Sequence, residues 1–169
     1  MSIMLMDLDW FKRINDQFGH AAGDLVLEGV AKEIKSRIRE SDLALRWGGE
    51  EFLIFLPNTD SNQAKQLAKD LRAQIEKINI NKIGSVTISI GVVSTTPDQI
   101  TLDKLITLAD DALYSAKEKG RNTVVVTSYS KSTPKANIWS IIIAYVLNKL
   151  KLLATLLIVF FISCAILVA

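Results

Sequence analysis

Leu43–Leu56 reads LALRWGGEEFLIFL: two β-prone segments, Leu43–Trp47 and Glu51–Leu56, joined across Gly48-Gly49. Glycine accepts positive φ, so the paired glycines read as a tight hairpin. Toward the N-terminus, Ser2–Asp7 (SIMLMD) is a short apolar run stopped by carboxylates, and a brief helical pattern through Phe11, Ile14 and Phe18 ends at Gly19. Asp24–Arg39 places Leu25, Leu27, Val30, Ile34 and Ile38 near a 3.6-residue period, with Asp24 as N-terminal cap or first-turn acid. Toward the C-terminus, Asp60 or Ser61 caps a helix running to about Lys77, with Ala64, Leu67, Ala68, Leu71 and Ile75 on one face. Val86, Ile88, Ile90 and Val92 alternate with Thr87, Ser89 and Gly91 and predict a half-buried strand. Thr101 opens a last helix that reaches Lys119 and closes on Gly120, and Val124–Val126 is a short terminal strand.

Strand, helix, strand, strand, helix, strand, with an extra helix and strand, is the order of an α/β (α+β) domain built on a ferredoxin-like split βαβ sheet with flanking helices. In that topology the first strand lies antiparallel to the strand leaving the hairpin, so the end of one meets the beginning of the other and Asp7 becomes a neighbour of Glu50. Two carboxylates brought together, with Asp9 and Glu51 close by, repel unless a cation intervenes. Hard oxygen donors suit Mg²⁺ or Mn²⁺, with phosphate oxygens completing the shell. The plainer reading is that these acids end strands and face solvent.

The 169 residues suffice for one domain, and the net charge of +2 hides an asymmetry. All 18 acids lie in residues 1–126 against 16 of the 20 bases; residues 127–169 carry only Lys131, Lys135, Lys149 and Lys151. An acidic-leaning first part argues against nucleic-acid binding, which needs clustered lysine and arginine. The single cysteine, Cys164, excludes a disulfide framework and a thiolate metal site. It lies in Leu152–Ala169 (LLATLLIVFFISCAILVA), 18 uncharged residues that span about 27 Å as a helix. This run predicts a C-terminal transmembrane helix. Lys149 and Lys151 at its start put the preceding residues in the cytoplasm. Residues 127–137 read as a linker with Pro134, and 138–169 as the membrane segment, with the apolar stretch Ile138–Leu147 lying at the interface or extending the span.

Four separated blocks, Asp7–Asp24 (DLDWFKRINDQFGHAAGD), Arg46–Phe52 (RWGGEEF), Val86–Val92 (VTISIGV) and Ala109–Asn122 (ADDALYSAKEKGRN), resemble the GGDEF domain of bacterial diguanylate cyclases over about residues 1–126. The resemblance implies a nucleotidyl-cyclase-type sheet and an enzyme that condenses two GTP molecules into cyclic di-GMP, with release of pyrophosphate. Catalysis then requires a homodimer, one GTP per domain. With the tail, it implies a catalytic domain held at the bacterial inner membrane on the cytoplasmic side.

Carried over by residue, the resemblance makes Asp7, the Leu8 carbonyl and Glu50 the Mg²⁺ (or Mn²⁺) ligands, and Glu50 also the proposed base for the 3′-hydroxyl. Glutamate at position 50 keeps the charge and ligand type of the family's aspartate. Asn15 and Asp24 match the guanine-reading pair: a carboxylate accepts from guanine N1 and N2 hydrogens, a donor pair adenine lacks. Lys12, Lys117 and Arg121 match triphosphate contacts, whose charge offsets that of the departing pyrophosphate. His20 sits in the FGH turn, where the family uses it structurally, and Trp10 and Trp47 are expected to pack near the site.

Arg39-Glu40-Ser41-Asp42 matches the RxxD product-inhibition motif, in which arginine forks onto phosphate and aspartate accepts guanine hydrogens. The second arginine some members supply has only Arg72 as a loose candidate. Two departures stand beside these matches. The family's segment of roughly forty residues before the first strand is not seen ahead of Ser2, which predicts an exposed apolar sheet surface, because Ser2–Asp7 and Glu51–Leu56 are apolar on both faces. The anchor also follows the domain, where the family usually places it before. The alternative to an enzyme is a catalytically silent module binding GTP or cyclic di-GMP, or a truncated remnant.

Overall fold

The computed structural model of the chain describes residues 1–80, 83–96, 100–129 and Leu147. Its elements run β1 (Ser2–Leu8), α1 (Phe11–Phe18), α2 (His20–Arg37), β2 (Leu43–Arg46), β3 (Glu51–Leu56), α3 (Ser61–Ile75), β4 (Asn79–Ile80), β5 (Gly84–Ser85), β6 (Ile88–Thr95), α4 (Leu102–Glu118) and β7 (Val124–Tyr129). Five strands form one sheet in the order β2-β3-β1-β6-β7, and β4 and β5 make a separate two-stranded hairpin. β1 is antiparallel to both its neighbours, and β7 lies parallel to β6. This is the split βαβ arrangement with one parallel strand added at its edge.

Apolar side chains leave the central strands alternately on both faces, and helices cover each face. Met4, Met6, Leu8, Phe52, Ile54, Ile88 and Ile90 pack beneath α2 and α3, through Val26, Val30 and Ile34 of one and Ala64, Ala68, Leu71 and Ile75 of the other. Ile3, Leu5, Leu53 and Val93 pack beneath α4, through Leu105, Ala109 and Leu113. β6 is therefore buried along its whole length rather than half-buried. Gly91 makes this possible, since a Cβ there would fall onto the Ala109 carbonyl and the Leu113 amide, so α4 rests directly on the strand. β1 is buried throughout, and Leu53 and Phe55 are buried too, so the expected exposed surface on these strands is not found.

Local chemistry explains the ends of the elements. Asp60 caps α3 in a reciprocal capping box with Gln63. Thr101 accepts from the Lys104 amide at the start of α4, and Gly120, at φ 105°, follows its end. α2 begins at His20, not at Asp24, because the chain turns at Gly19 with φ 83°. Asp24 is thus an exposed residue of the second turn rather than a cap, and the core stripe runs through Val26 while Leu25 faces outward. Gly48 and Gly49 do not use positive φ as the hairpin reading expects. A Cβ at Gly48 would lie 2.7 Å from Glu51 Oε2, the far end of a side chain that can move aside. β7 continues to Tyr129, three residues into the expected linker.

The architecture is corrected on one further point. Among the described residues no helix is long and apolar enough to cross a membrane. α2, of 18 residues, and α4, of 17, each bury one stripe of side chains against the sheet and carry charged residues elsewhere. The expected transmembrane helix, the membrane contact and the inner-membrane placement therefore find no support, and Leu152–Ala169 lies outside the described residues.

Candidate active site at the β1–β3 end

β1 and β3 pair with Asp7 opposite Glu51, and the Leu8 amide donates to the Glu50 carbonyl at 3.2 Å. This register carries Glu50 to the end of β1, as the topology requires. The hairpin that presents Glu50 is braced by Arg46, whose guanidinium donates to the Gly49 carbonyl at 2.6 Å. Lys117, from the last turn of α4, reaches Asp7 with Nζ 2.9 Å from Oδ2.

Burial raises the Asp7 carboxyl above its ordinary value and the charge of Asp9 adds to this, opposed by the hydrogen bond and charge of Lys117 and by Arg121. Burial raises Glu50 as well, with Asp7 and Glu51 adding repulsion and Lys117 opposing it. Two carboxylates near each other, one already drawn to an ammonium, are oxygen donors of the kind a small hard divalent cation takes. Among the described residues no group of three or more His, Cys, Asp or Glu side chains gathers as a closed metal cage. An open set of this kind suits an ion that shares its shell with phosphate and water.

These shifts predict a pH dependence. Acids raised in the folded state lower stability as pH rises through their folded values, and contribute nothing below the unfolded values of 3.8 and 4.5. In metal-free buffer, Glu50→Gln is expected to raise the thermal midpoint near neutral pH and to leave it unchanged below the ordinary carboxylate range. Equal midpoints at both pH values would contradict the repulsion.

Asp9, the next carboxylate along, does not join this pair. It is 4 % exposed and accepts three hydrogen bonds: from Ser89 Oγ at 2.7 Å, Thr87 Oγ1 at 2.8 Å and the Asn122 amide at 2.9 Å. It thereby ties the end of β1 to β6 and to the turn after α4. Asn122 extends the bracket to α3, donating to Glu76 and accepting from Arg72. Glu76 is held below its ordinary value by the Asn122 hydrogen bond and by Arg72. Arg72 is thus committed to Glu76 and Asn122 rather than to Arg39 or Asp42.

Trp10, Arg121 and Asn122 all have left-handed backbones, with φ of 61°, 66° and 45°, a conformation that costs a bulky residue about 1–3 kcal/mol. The Arg13 and Arg121 guanidiniums lie 4.1 Å and 4.0 Å from the centroid of the Trp10 ring. Sequence reasoning assigned no role to Arg13, Arg46 or Asn122; the only available signal was the polar alternation of Thr87 and Ser89 facing an Asp-x-Asp strand end.

The remaining residues singled out from the sequence fall in two places. Lys12 is exposed on the first turn of α1. Asn15 packs over Gly23, where a Cβ would collide with its Oδ1, and Asp24 follows directly. Asp24 and Asp42 both line a cavity of about 690 Å³ between α2 and β2, whose apolar walls include Leu27, Ile34, Leu45 and Phe52. Arg39 and Asp42 close a tight turn: the Asp42 carboxylate accepts from the Arg39 amide at 2.9 Å, and the Asp42 amide donates to the Arg39 carbonyl at 3.0 Å. Among the described residues the Arg39 guanidinium holds no ion pair.

Residues 1–123 match the family described as "Diguanylate cyclase, GGDEF domain". The chain is 46 % identical over 139 residues to Diguanylate cyclase A of Treponema denticola, covering 80 % of this chain and 37 % of that protein. It superposes with a TM-score of 0.70 on the active GGEEF domain of a diguanylate cyclase from Vibrio cholerae, at 36 % identity, covering 78 % of this chain and 83 % of that one. It superposes equally, at 29 % identity and covering 74 % and 76 %, on the GGDEF domain of DgcB from Caulobacter crescentus in complex with c-di-GMP. The chain spans about a third of the length of the curated relatives it matches. With the Asp7–Glu50 juxtaposition set on a split βαβ sheet and the family match covering four of the sheet's five strands, the chain belongs to the GGDEF-domain family of diguanylate cyclases.

Proposed function

We propose that this chain is a diguanylate cyclase catalytic domain that joins two GTP molecules into cyclic di-GMP. The observation that carries the reading is the meeting of Asp7 and Glu50 at the β1–β3 end with the Lys117 ammonium 2.9 Å from Asp7. Asp7, Glu50 and the Leu8 carbonyl would hold Mg²⁺ or Mn²⁺, which when bound supplies charge neutralisation and alignment for phosphoryl transfer. In the reaction the 3′-hydroxyl oxygen of one GTP attacks the α-phosphorus of the other; the hydroxyl proton is lost and pyrophosphate leaves. Two such steps close the ring, so two domains face each other as a homodimer.

Glu50 would take the hydroxyl proton. A carboxylate that also holds a metal ion is a weak base, so its positioning and the charge neutralisation the ion would supply contribute more than its basicity. Lys12, Lys117 and Arg121 would neutralise the triphosphate, Lys117 by exchanging its carboxylate partner for phosphate oxygen. Asp24, beside an apolar cavity that suits a planar base, would read guanine N1 and N2 hydrogens, with Asn15 adjacent. The Arg39 guanidinium and the Asp42 carboxylate offer the phosphate and guanine partners of a feedback site for cyclic di-GMP, a ligand present in the DgcB complex.

Incubated with GTP and Mg²⁺, the folded chain is expected to release pyrophosphate and form cyclic di-GMP, at a rate per chain that rises with protein concentration as dimers form. Chelating the divalent ion should stop both products. Product chromatography showing neither compound from folded protein would overturn the enzyme reading, and saturable GTP or cyclic di-GMP binding without turnover would replace it with a binding module.

A further inference from the structure

Trp10 departs from local rules in two ways that the core does not require: a left-handed backbone at the N-cap of α1, and a ring 49 % exposed. What the ring does touch is the pair of guanidiniums of Arg13 and Arg121. The preceding residue, Asp9, accepts the amide of Asn122, the residue after Arg121. The β1–α1 turn and the α4–β7 turn therefore clasp each other through two contacts one residue apart. The hydrogen bond at Asp9 fixes the backbone of the second turn, and the ring at Trp10 fixes the far end of the Arg121 side chain. Strain at Trp10, Arg121 and Asn122 together is sustained because each turn holds the other. A guanidinium stacked by its face keeps the N–H groups on its edge free for an anion, and a stacked arginine has already surrendered the rotamer freedom that binding would cost.

We propose that Trp10 is a positioning residue that holds Arg121, together with Arg13 on the same ring, as a preformed guanidinium pair for the phosphates of the nucleotide. The proposal rests on the reading of Arg121 as a phosphate contact, and its test separates the two. Calorimetric binding of inorganic pyrophosphate in the presence of Mg²⁺ is measured for the unmodified chain and for Arg121→Ala, Trp10→Ala, the double variant and Trp10→Phe, each first checked for an unchanged unfolding transition. Arg121→Ala and Trp10→Ala are each expected to weaken binding about threefold to tenfold. The double variant should bind no more weakly than Arg121→Ala, and Trp10→Phe should recover most of the loss. If Arg121→Ala weakens binding while Trp10→Ala does not, or if the two losses add in the double variant, Trp10 does not position Arg121. If Arg121→Ala leaves affinity unchanged, the phosphate role of Arg121 fails and the proposal fails with it.

Discussion

Asp9→Ala is expected to cost about 3 kcal/mol of folding stability, the scale set by the donors it leaves without a partner. The carboxylate satisfies Ser89 Oγ, Thr87 Oγ1 and the Asn122 amide, and Ser89 is fully buried. Removing it strands three donors, each at about 1–3 kcal/mol when water cannot reach it. Thr87 and Asn122 are only partly buried, so water restores part of that loss, which keeps the total well below the sum. Urea unfolding should show a lower midpoint with an unchanged slope. A loss under about 1 kcal/mol would mean that Asp9 is not the tie described. The same substitution frees the turn that carries Arg121 beside Asp7, so pyrophosphate binding should weaken along with stability.

Glu50→Gln is expected to lower the rate of cyclic di-GMP formation by about a hundredfold to a thousandfold, the scale on which a single charge aimed at the reacting atoms acts. Glutamine preserves the length of the side chain and one ligand oxygen but removes the negative charge and the proton acceptor. The loss should therefore fall mainly on kcat, with a smaller change in KM for GTP. The substitution is also expected to stabilise the metal-free protein near neutral pH, because the repulsion from Asp7 and Glu51 disappears. Opposite signs for activity and stability mark a group placed for chemistry rather than for the fold. Turnover within tenfold of the unmodified chain would remove Glu50 from the reaction.

Much of this site was legible because its signals are local. RWGGEEF and DLDWFKRIND lie within short stretches whose periodicity also marks them as hairpin, strand end and first helix. Once those elements are arranged as a split βαβ sheet, antiparallel pairing alone brings Asp7 to Glu50. The remainder was hidden because it depends on residues distant in the chain. Asp9 reads only as an acid close to the pair, and its partners at positions 87, 89 and 122 are not visible from its own stretch. Arg72 reads as a possible inhibitory arginine, yet it serves the bracket through Asn122. Asp24 reads as a cap because acids favour helix starts, and only the turn at Gly19 shows that the helix has already begun.

The amino-acid sequence by itself determined the element order, the two-faced apolar strands and the acids at the hairpin, since hydrophobic period and turn chemistry act over a few residues. Tertiary structure alone decided that β6 is covered on both faces, that Asp9 ties β1 to β6 and to the turn after α4, and that three residues hold left-handed backbones without glycine. Those outcomes are set by packing and hydrogen bonds between segments about a hundred residues apart, which no local preference encodes.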